Sequence, residues 1–92
     1  MIVSFRCRDT QILFETEQSR RWSGIISVAF RKLAYLDAAS TLNDLRQPPG
    51  NRLEALKGDL AEFHSIRING QWRVIFEWKN GGAHNVAIVD YH

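Results

Sequence analysis

Ser65-Ile66-Arg67-Ile68-Asn69-Gly70-Gln71-Trp72-Arg73-Val74-Ile75-Phe76-Glu77-Trp78 is the stretch whose reading decides the fold. Two runs of β-branched and aromatic residues flank Asn69-Gly70, a strong hairpin signal. The predicted strands cover residues 63–68 and 72–78. Successive side chains of a strand point to opposite faces, so register decides which residues meet the core. A two-residue loop at Asn69-Gly70 pairs Ile66 with Arg73 and Arg67 with Trp72, mixing polar and apolar side chains on both faces. A three-residue loop with Gly70 in the left-handed region shifts the pairing by one. His64, Ile66, Ile68, Trp72, Val74, Phe76 and Trp78 then share one face. Ser65, Arg67, Gln71, Arg73 and Glu77 share the other, with Phe63 and Ile75. The three-residue loop is therefore expected. Its apolar face packs on a helix, and the opposite face presents two arginines.

Working outward toward the C-terminus, Lys79-Asn80-Gly81-Gly82 reads as a second hairpin loop and residues 84–91 as the last strand. The apolar run Val86-Ala87-Ile88-Val89 marks that strand as buried. Toward the N-terminus, residues 52–56 alternate weakly as a further strand, and Lys57-Gly58-Asp59 is a turn. Gln47-Pro48-Pro49-Gly50-Asn51 is expected to be a loop without regular structure. Thr41-Leu42-Asn43-Asp44 has capping-box spacing and opens a short helical turn. Trp22, Ile25 or Ile26, Ala29, Leu33 and Leu36 recur at helical spacing, which predicts a helix over 22–39. Arg31 and Lys32 fall toward its outer face, and Gly24 costs it about 1 kcal/mol against Ala. Asp9 and Thr10 are capping residues ahead of a short helix over 11–15. Residues 2–6 alternate as a first strand. The whole predicts one α+β domain over residues 1–92. Two N-terminal helices pack on a mostly antiparallel sheet of about four to five strands.

Composition bounds the function. Ninety-two residues support a single modest core, and ten aromatics, three of them Trp, give it a large apolar payload. Cys7 is alone, so no internal disulfide can form and a cytoplasmic setting fits. No apolar run reaches membrane-spanning length, so no membrane partner is expected. Twelve Lys and Arg against ten Asp and Glu leave a net charge of +2, which permits a nucleic-acid partner without demanding one. Cys7, His64, His84 and His92 show no zinc-ligand spacing, so neither metal nor cofactor is expected.

The chemistry-bearing residues gather on the polar face. Arg67, Arg73 and the Lys57 turn outline an anion-binding surface, with Glu54 just before that turn. Asp90, Tyr91 and His92 close a strand of the same sheet. Carboxylate, imidazole and cations together are what cleavage of a phosphodiester through a ribose 2′-hydroxyl needs. The bland readings stand beside this one. Strand arginines are solubilising charges more often than not, Glu54 and Lys57 could form a surface ion pair of little value, His64 falls on the apolar face, and His84 sits at a hairpin edge.

Arg52-Leu53-Glu54-Ala55-Leu56-Lys57-Gly58-Asp59, the run from Ser65 to Arg73, and Val89-Asp90-Tyr91-His92 together resemble the HigB toxins of bacterial toxin–antitoxin systems, within the RelE/ParE superfamily. The likeness spans the chain, from Ile2-Val3-Ser4-Phe5 through Leu36-Asp37-Ala38-Ala39. It implies an α+β fold similar in outline to microbial ribonucleases. It implies cleavage of translated mRNA in the ribosomal decoding site through a 2′,3′-cyclic phosphate. Implied partners are an antitoxin with an Xre-type helix-turn-helix, the 70S ribosome with contacts to its 16S rRNA, and operator DNA through the antitoxin complex. By position, Lys57 and Arg73 would stabilise phosphate charge, His92 would be general acid or base, Tyr91 would position or stack on substrate, and Asp90 would orient His92. Glu54 stands where some members carry His and is the candidate base. Arg67, Gln71 and Arg52 are candidate RNA contacts, and Arg20, Arg21, Arg31, Lys32 and Arg46 candidate contacts to ribosomal RNA. Two alternatives share the fold: a ParE-like gyrase inhibitor, and a weakly active toxin serving mainly as co-repressor.

Overall fold

The computed structural model describes residues 1–91. Strand β2 (Phe63–Arg67) pairs antiparallel with β3 (Trp72–Lys79), which pairs in turn with β4 (Gly82–Asp90). A two-residue β1 (Glu54–Ala55) adds to the free edge of β2, giving the order β1-β2-β3-β4. The register between β2 and β3 is the expected one, with Ile66 opposite Val74 and Arg67 opposite Arg73. Its cause differs from the expectation. Gly70 is not among the residues with positive φ. Instead the Asn69 side chain shapes the turn: its Oδ1 accepts the Gln71 and Trp72 amides, each at 2.8 Å. A side-chain acceptor mimics the backbone turn, so no left-handed residue is required. The second hairpin uses both special residues. Asn80 and Gly81 have φ of 52° and 74°, and the loop between Lys79 and Gly82 is two residues long. Pairing slips between Ile75 and Glu77, where Asn85 of β4 takes φ 54°; an extra residue there bends and twists the strand.

Helix α1 (Arg8–Thr16) is longer than predicted, and its N-cap position is Cys7. Asp9 therefore sits in the first turn, where a carboxylate suits the helix dipole. Thr10 is fully buried and its hydroxyl accepts the Ile88 amide at 3.0 Å, tying α1 to β4. Helix α2 (Ile26–Ala38) begins four residues later than predicted. The segment before it is a turn containing Gly24, and Trp22 swings into the core edge-on to Trp72, ring centroids 6.0 Å apart. Ala29, Leu33 and Leu36 of α2 are buried against the apolar sheet face, where Ile66, Val74, Phe76, Val86 and Ile88 lie. Each fully buried aliphatic of this kind contributes roughly 1.5–3 kcal/mol.

Four expectations need correction. The predicted first strand reduces to two isolated parallel bridges, Ile2 to Ala83 and Phe5 to Val86, and the left-handed Asn85 (φ 54°) of the β4 stretch between them interrupts a regular ladder. The proline segment is not irregular throughout: Pro49–Asn51 forms one 3-10 turn, which proline tolerates at its first position. Lys32 does not face outward but is buried. Arg73 is likewise not a solvated strand charge, being only 5% exposed. The Thr41 capping box is present as expected, with the Thr41 hydroxyl on the Asp44 amide and the Asp44 carboxylate on the Thr41 amide.

Candidate active site

The polar face of the sheet is assembled by its register. Glu54 lies opposite Ser65, Ser65 opposite Ile75, and Arg73 opposite both Arg67 and Val89. Partners across a ladder share a face, so a carboxylate from β1, a hydroxyl from β2 and a guanidinium from β3 converge. Tyr91 follows β4, held by its amide on the Gln71 carbonyl at 2.6 Å.

Arg73 is the buried floor of this cluster. Its Nε donates to Ser65 Oγ at 2.8 Å and its Nη2 to the Arg52 carbonyl at 2.6 Å. Among the described residues Nη1 has no acceptor. Glu54 Oε1 stands 3.8 Å from Nη2, and the Tyr91 ring lies 4.9 Å from the guanidinium carbon, within cation–π range. The Tyr91 hydroxyl donates to Glu54 Oε1 at 2.9 Å. One carboxylate oxygen thus joins a phenol and a guanidinium. Burial pulls the Arg73 pKa down, opposed by Glu54 and Tyr91 and reinforced by Arg67 and Arg52. The hydrogen bond to Glu54 pushes the Tyr91 phenol up, so it is a neutral donor at neutral pH.

An open cleft of about 720 Å³ is lined among others by Glu54, Leu56, Lys57, Ile75, Asp90 and Tyr91; Arg73 does not line it but meets it through Glu54 and Tyr91. Lys57 is an exposed cation on its rim. Arg6, from the segment that runs beside β4, also lines it. Nothing in the local sequence marks Arg6, since its reach depends on a long-range parallel pairing. By pattern Ser65 is one polar residue of a face; it is fully buried and fixes Arg73. A larger hollow, about 1070 Å³, sits between α1 and the turn before α2. Its carboxylate, Asp9, is already paired with Arg21 at 3.2 Å, and it lacks a joined carboxylate, phenol and buried cation.

Of the predicted site residues, Glu54, Lys57, Arg73, Asp90 and Tyr91 come together here. Asp90 accepts from Gln71 Nε2 at 3.1 Å, so both side chains help fasten the end of β4 to the β2–β3 turn. Arg67 is half-buried beside Arg73 and does not line the cleft. Arg52 is exposed and contributes its backbone carbonyl. His92 lies outside the described residues. His64 stacks on Phe76 at 6.2 Å on the apolar face, and half-buried His84 approaches the Lys79 carbonyl at 3.3 Å, so neither joins the cluster. Among the described residues no three His, Cys, Asp or Glu side chains group as metal ligands, and no helix is long and apolar enough to cross a membrane.

Residues 4–92 match the family model described as the RelE-like toxin of the type II toxin–antitoxin system HigB. The chain is 44% identical over 90 residues to Toxin HigB-1 of Vibrio cholerae serotype O1 strain ATCC 39315, covering 96% of this chain and 95% of that one. It is 30% identical over 96 residues to Endoribonuclease HigB of Proteus vulgaris, covering all of both. Among solved structures, a chain of the YoeB-YefM complex from Staphylococcus aureus superposes with a TM-score of 0.63 over 100% of this chain and 98% of that one. At 18% identity that likeness speaks to the fold alone. The family match and the two HigB relatives agree with each other over essentially the whole length, and the chain belongs to the HigB-like toxins, the RelE-like toxins of type II toxin–antitoxin systems.

Proposed function

We propose that this toxin is an endoribonuclease that cuts mRNA on the translating ribosome. The observation that carries the reading is the cluster in which Glu54 and Tyr91, both lining the cleft beside Lys57, are joined to each other and to buried Arg73. The relative named Endoribonuclease HigB supports the same activity. In the proposed reaction Glu54 takes the proton from a ribose 2′-hydroxyl. The 2′-oxygen attacks the adjacent phosphorus, the bond from phosphorus to the 5′-oxygen breaks, and His92 protonates that leaving oxygen. The products are a 2′,3′-cyclic phosphate and a free 5′-hydroxyl. Arg73 and Lys57 stabilise the charge that builds on the non-bridging oxygens. Tyr91 aims Glu54 through its hydroxyl. The reaction so written balances without a metal or cofactor.

A net charge of +2 suits an enzyme that borrows substrate positioning from ribosomal RNA, since a free ribonuclease must grip the polyanion itself. Arg52, Arg67 and Gln71 are the proposed contacts to flanking RNA. An Xre-type helix-turn-helix antitoxin is the proposed inhibitor, bringing operator DNA to the complex, and the site of action is cytoplasmic. Primer extension on mRNA translated by purified ribosomes tests the reading. The expected result is cleavage that requires the ribosome, at least 100-fold slower in Glu54→Gln, in line with loss of a general base. Undiminished cleavage by Glu54→Gln removes Glu54 from the mechanism. His92→Gln is expected to bind antitoxin normally and to abolish growth arrest. DNA breaks dependent on gyrase, with intact mRNA, would replace the reading altogether.

A further inference from the structure

Lys32 is the exception among the buried positions of α2, which are otherwise Ala29, Leu33 and Leu36. Its side chain carries an ammonium into a site only 6% exposed. Among the described residues it makes no ion pair, and the charges acting on it are the cations Arg31 and Arg67. Its partners are neutral: Nζ donates to Asn51 Oδ1 at 2.7 Å and stands 5.7 Å from the centroid of the Tyr35 ring. Burying an ammonium without a counter-charge is expensive, and an apolar side chain of equal length would fill the same space at lower cost. Burial, then Arg31 and Arg67, lowers the Lys32 pKa accordingly.

The partner leads to the candidate active site. Asn51 is fully buried, and its Nδ2 donates to the Leu45 and Gln47 carbonyls, each at 3.2 Å. With the Lys32 bond, its carboxamide is a knot that fastens the loop from 45 to 51 onto α2. The next residue, Arg52, takes φ 47°, an uncommon conformation for a residue with a Cβ. Its carbonyl is the acceptor of Arg73 Nη2. Conformations of that kind persist where the surroundings over-determine them.

We infer that Lys32 and Asn51 are positioning residues for Arg73. They lock the loop so that the Arg52 carbonyl holds one amino group of the guanidinium and leaves the other turned toward the substrate phosphate. The inference rests on the phosphate role proposed for Arg73, and it adds a residue on the far side of the sheet to that role.

The test is a double-mutant cycle in the full-length toxin, with mRNA cleavage on ribosomes resolved into kcat and KM and folding followed by thermal unfolding. Lys32→Met is expected to lower kcat by about 10- to 100-fold, the penalty of a sub-ångström to ångström misplacement, with KM changed by less than about twofold. Lys32→Gln, which keeps a donor for Asn51, is expected to recover much of the loss. In the Arg73→Lys background, Lys32→Met is expected to add little, because the fork it positions is already gone. Losses that multiply in the double variant, or wild-type kcat in a folded Lys32→Met, overturn the inference. Should Lys32→Met fail to fold, Lys32→Ala, which also removes the donor to Asn51, and its double variant with Arg73→Lys carry the same comparison. Impaired Arg73→Lys beside normal Lys32 variants overturns the positioning alone. Wild-type cleavage by Arg73→Lys overturns the role of Arg73 and the positioning together.

Discussion

Tyr91 serves two neighbours at once, its hydroxyl on the Glu54 carboxylate and its ring over the Arg73 guanidinium. The two functions separate by substitution. Tyr91→Phe keeps the ring on Arg73 and removes only the hydrogen bond that aims Glu54, so single-turnover cleavage on ribosomes is expected to slow about tenfold. Tyr91→Ala also uncovers Arg73 and is expected to slow it further. Equal rates for the wild type and Tyr91→Phe would show that the aim of Glu54 is not used. Arg67 and Arg73 face each other across β2 and β3, an arrangement that like charges make unfavourable. The ladder tolerates it because Ser65 and the Arg52 carbonyl take up the Arg73 donors.

At the scale of elements, the exposed edge of β4 is covered piece by piece. Residues 1–6 bond to Ala83 and Val86, and Thr10 of α1 takes the Ile88 amide. Covering an edge in this way removes a template for unwanted strand pairing. Gly82 is where the N-terminal segment comes closest: a Cβ there would stand 2.7 Å from Val3 Cγ2 and 3.3 Å from the Met1 carbonyl. Gly82→Ala is therefore expected to push the segment off β4 and to destabilise the fold by about 1–3 kcal/mol. For a chain of this size each kcal/mol lowers the melting temperature by roughly 4–8 °C. Calorimetry giving an unchanged melting temperature would mean that the segment contributes no stability. A displaced segment also carries Arg6 away from the cleft it lines.

For the molecule as a whole, stability should decline in acid through two hydrogen-bonded carboxylates. Asp44 is held below the usual carboxylate range, first by the Thr41 amide and then by that of Ser40. Glu77 is held low by the Asn85 amide and by Lys79, whose own pKa is raised in return. A depressed carboxyl binds fewer protons folded than unfolded. Its stabilisation is complete above the unfolded value and is lost as pH falls through the folded one. Unfolding followed against pH should therefore show stability falling below about pH 4. Asp44→Asn is expected to be less stable near neutrality and to show a shallower acid limb. An unaltered limb would assign the acid sensitivity to other groups.

Local pattern was enough for much of this protein. The period-two alternation on either side of Asn69-Gly70 determined the register, because a one-residue slip would have sent Ile66 and Val74 to the polar face. The 3.6-residue spacing of Ala29, Leu33 and Leu36 determined the face of α2, and Thr41 and Asp44 determined the capped turn. The specific run of residues around Glu54, Lys57, Arg73 and Tyr91 determined the family. Only the tertiary structure decided which charges are buried. Lys32 reads as outward-facing and Arg73 as a cation presented on an open polar face, whereas both are buried on acceptors 19 and 21 positions away. The same holds for the cover that residues 1–6 lay over β4, and for the bond between Tyr91 and Glu54 across 37 positions. Periodicity reports the face a residue occupies, whereas the partner waiting on that face is set by how distant segments pack.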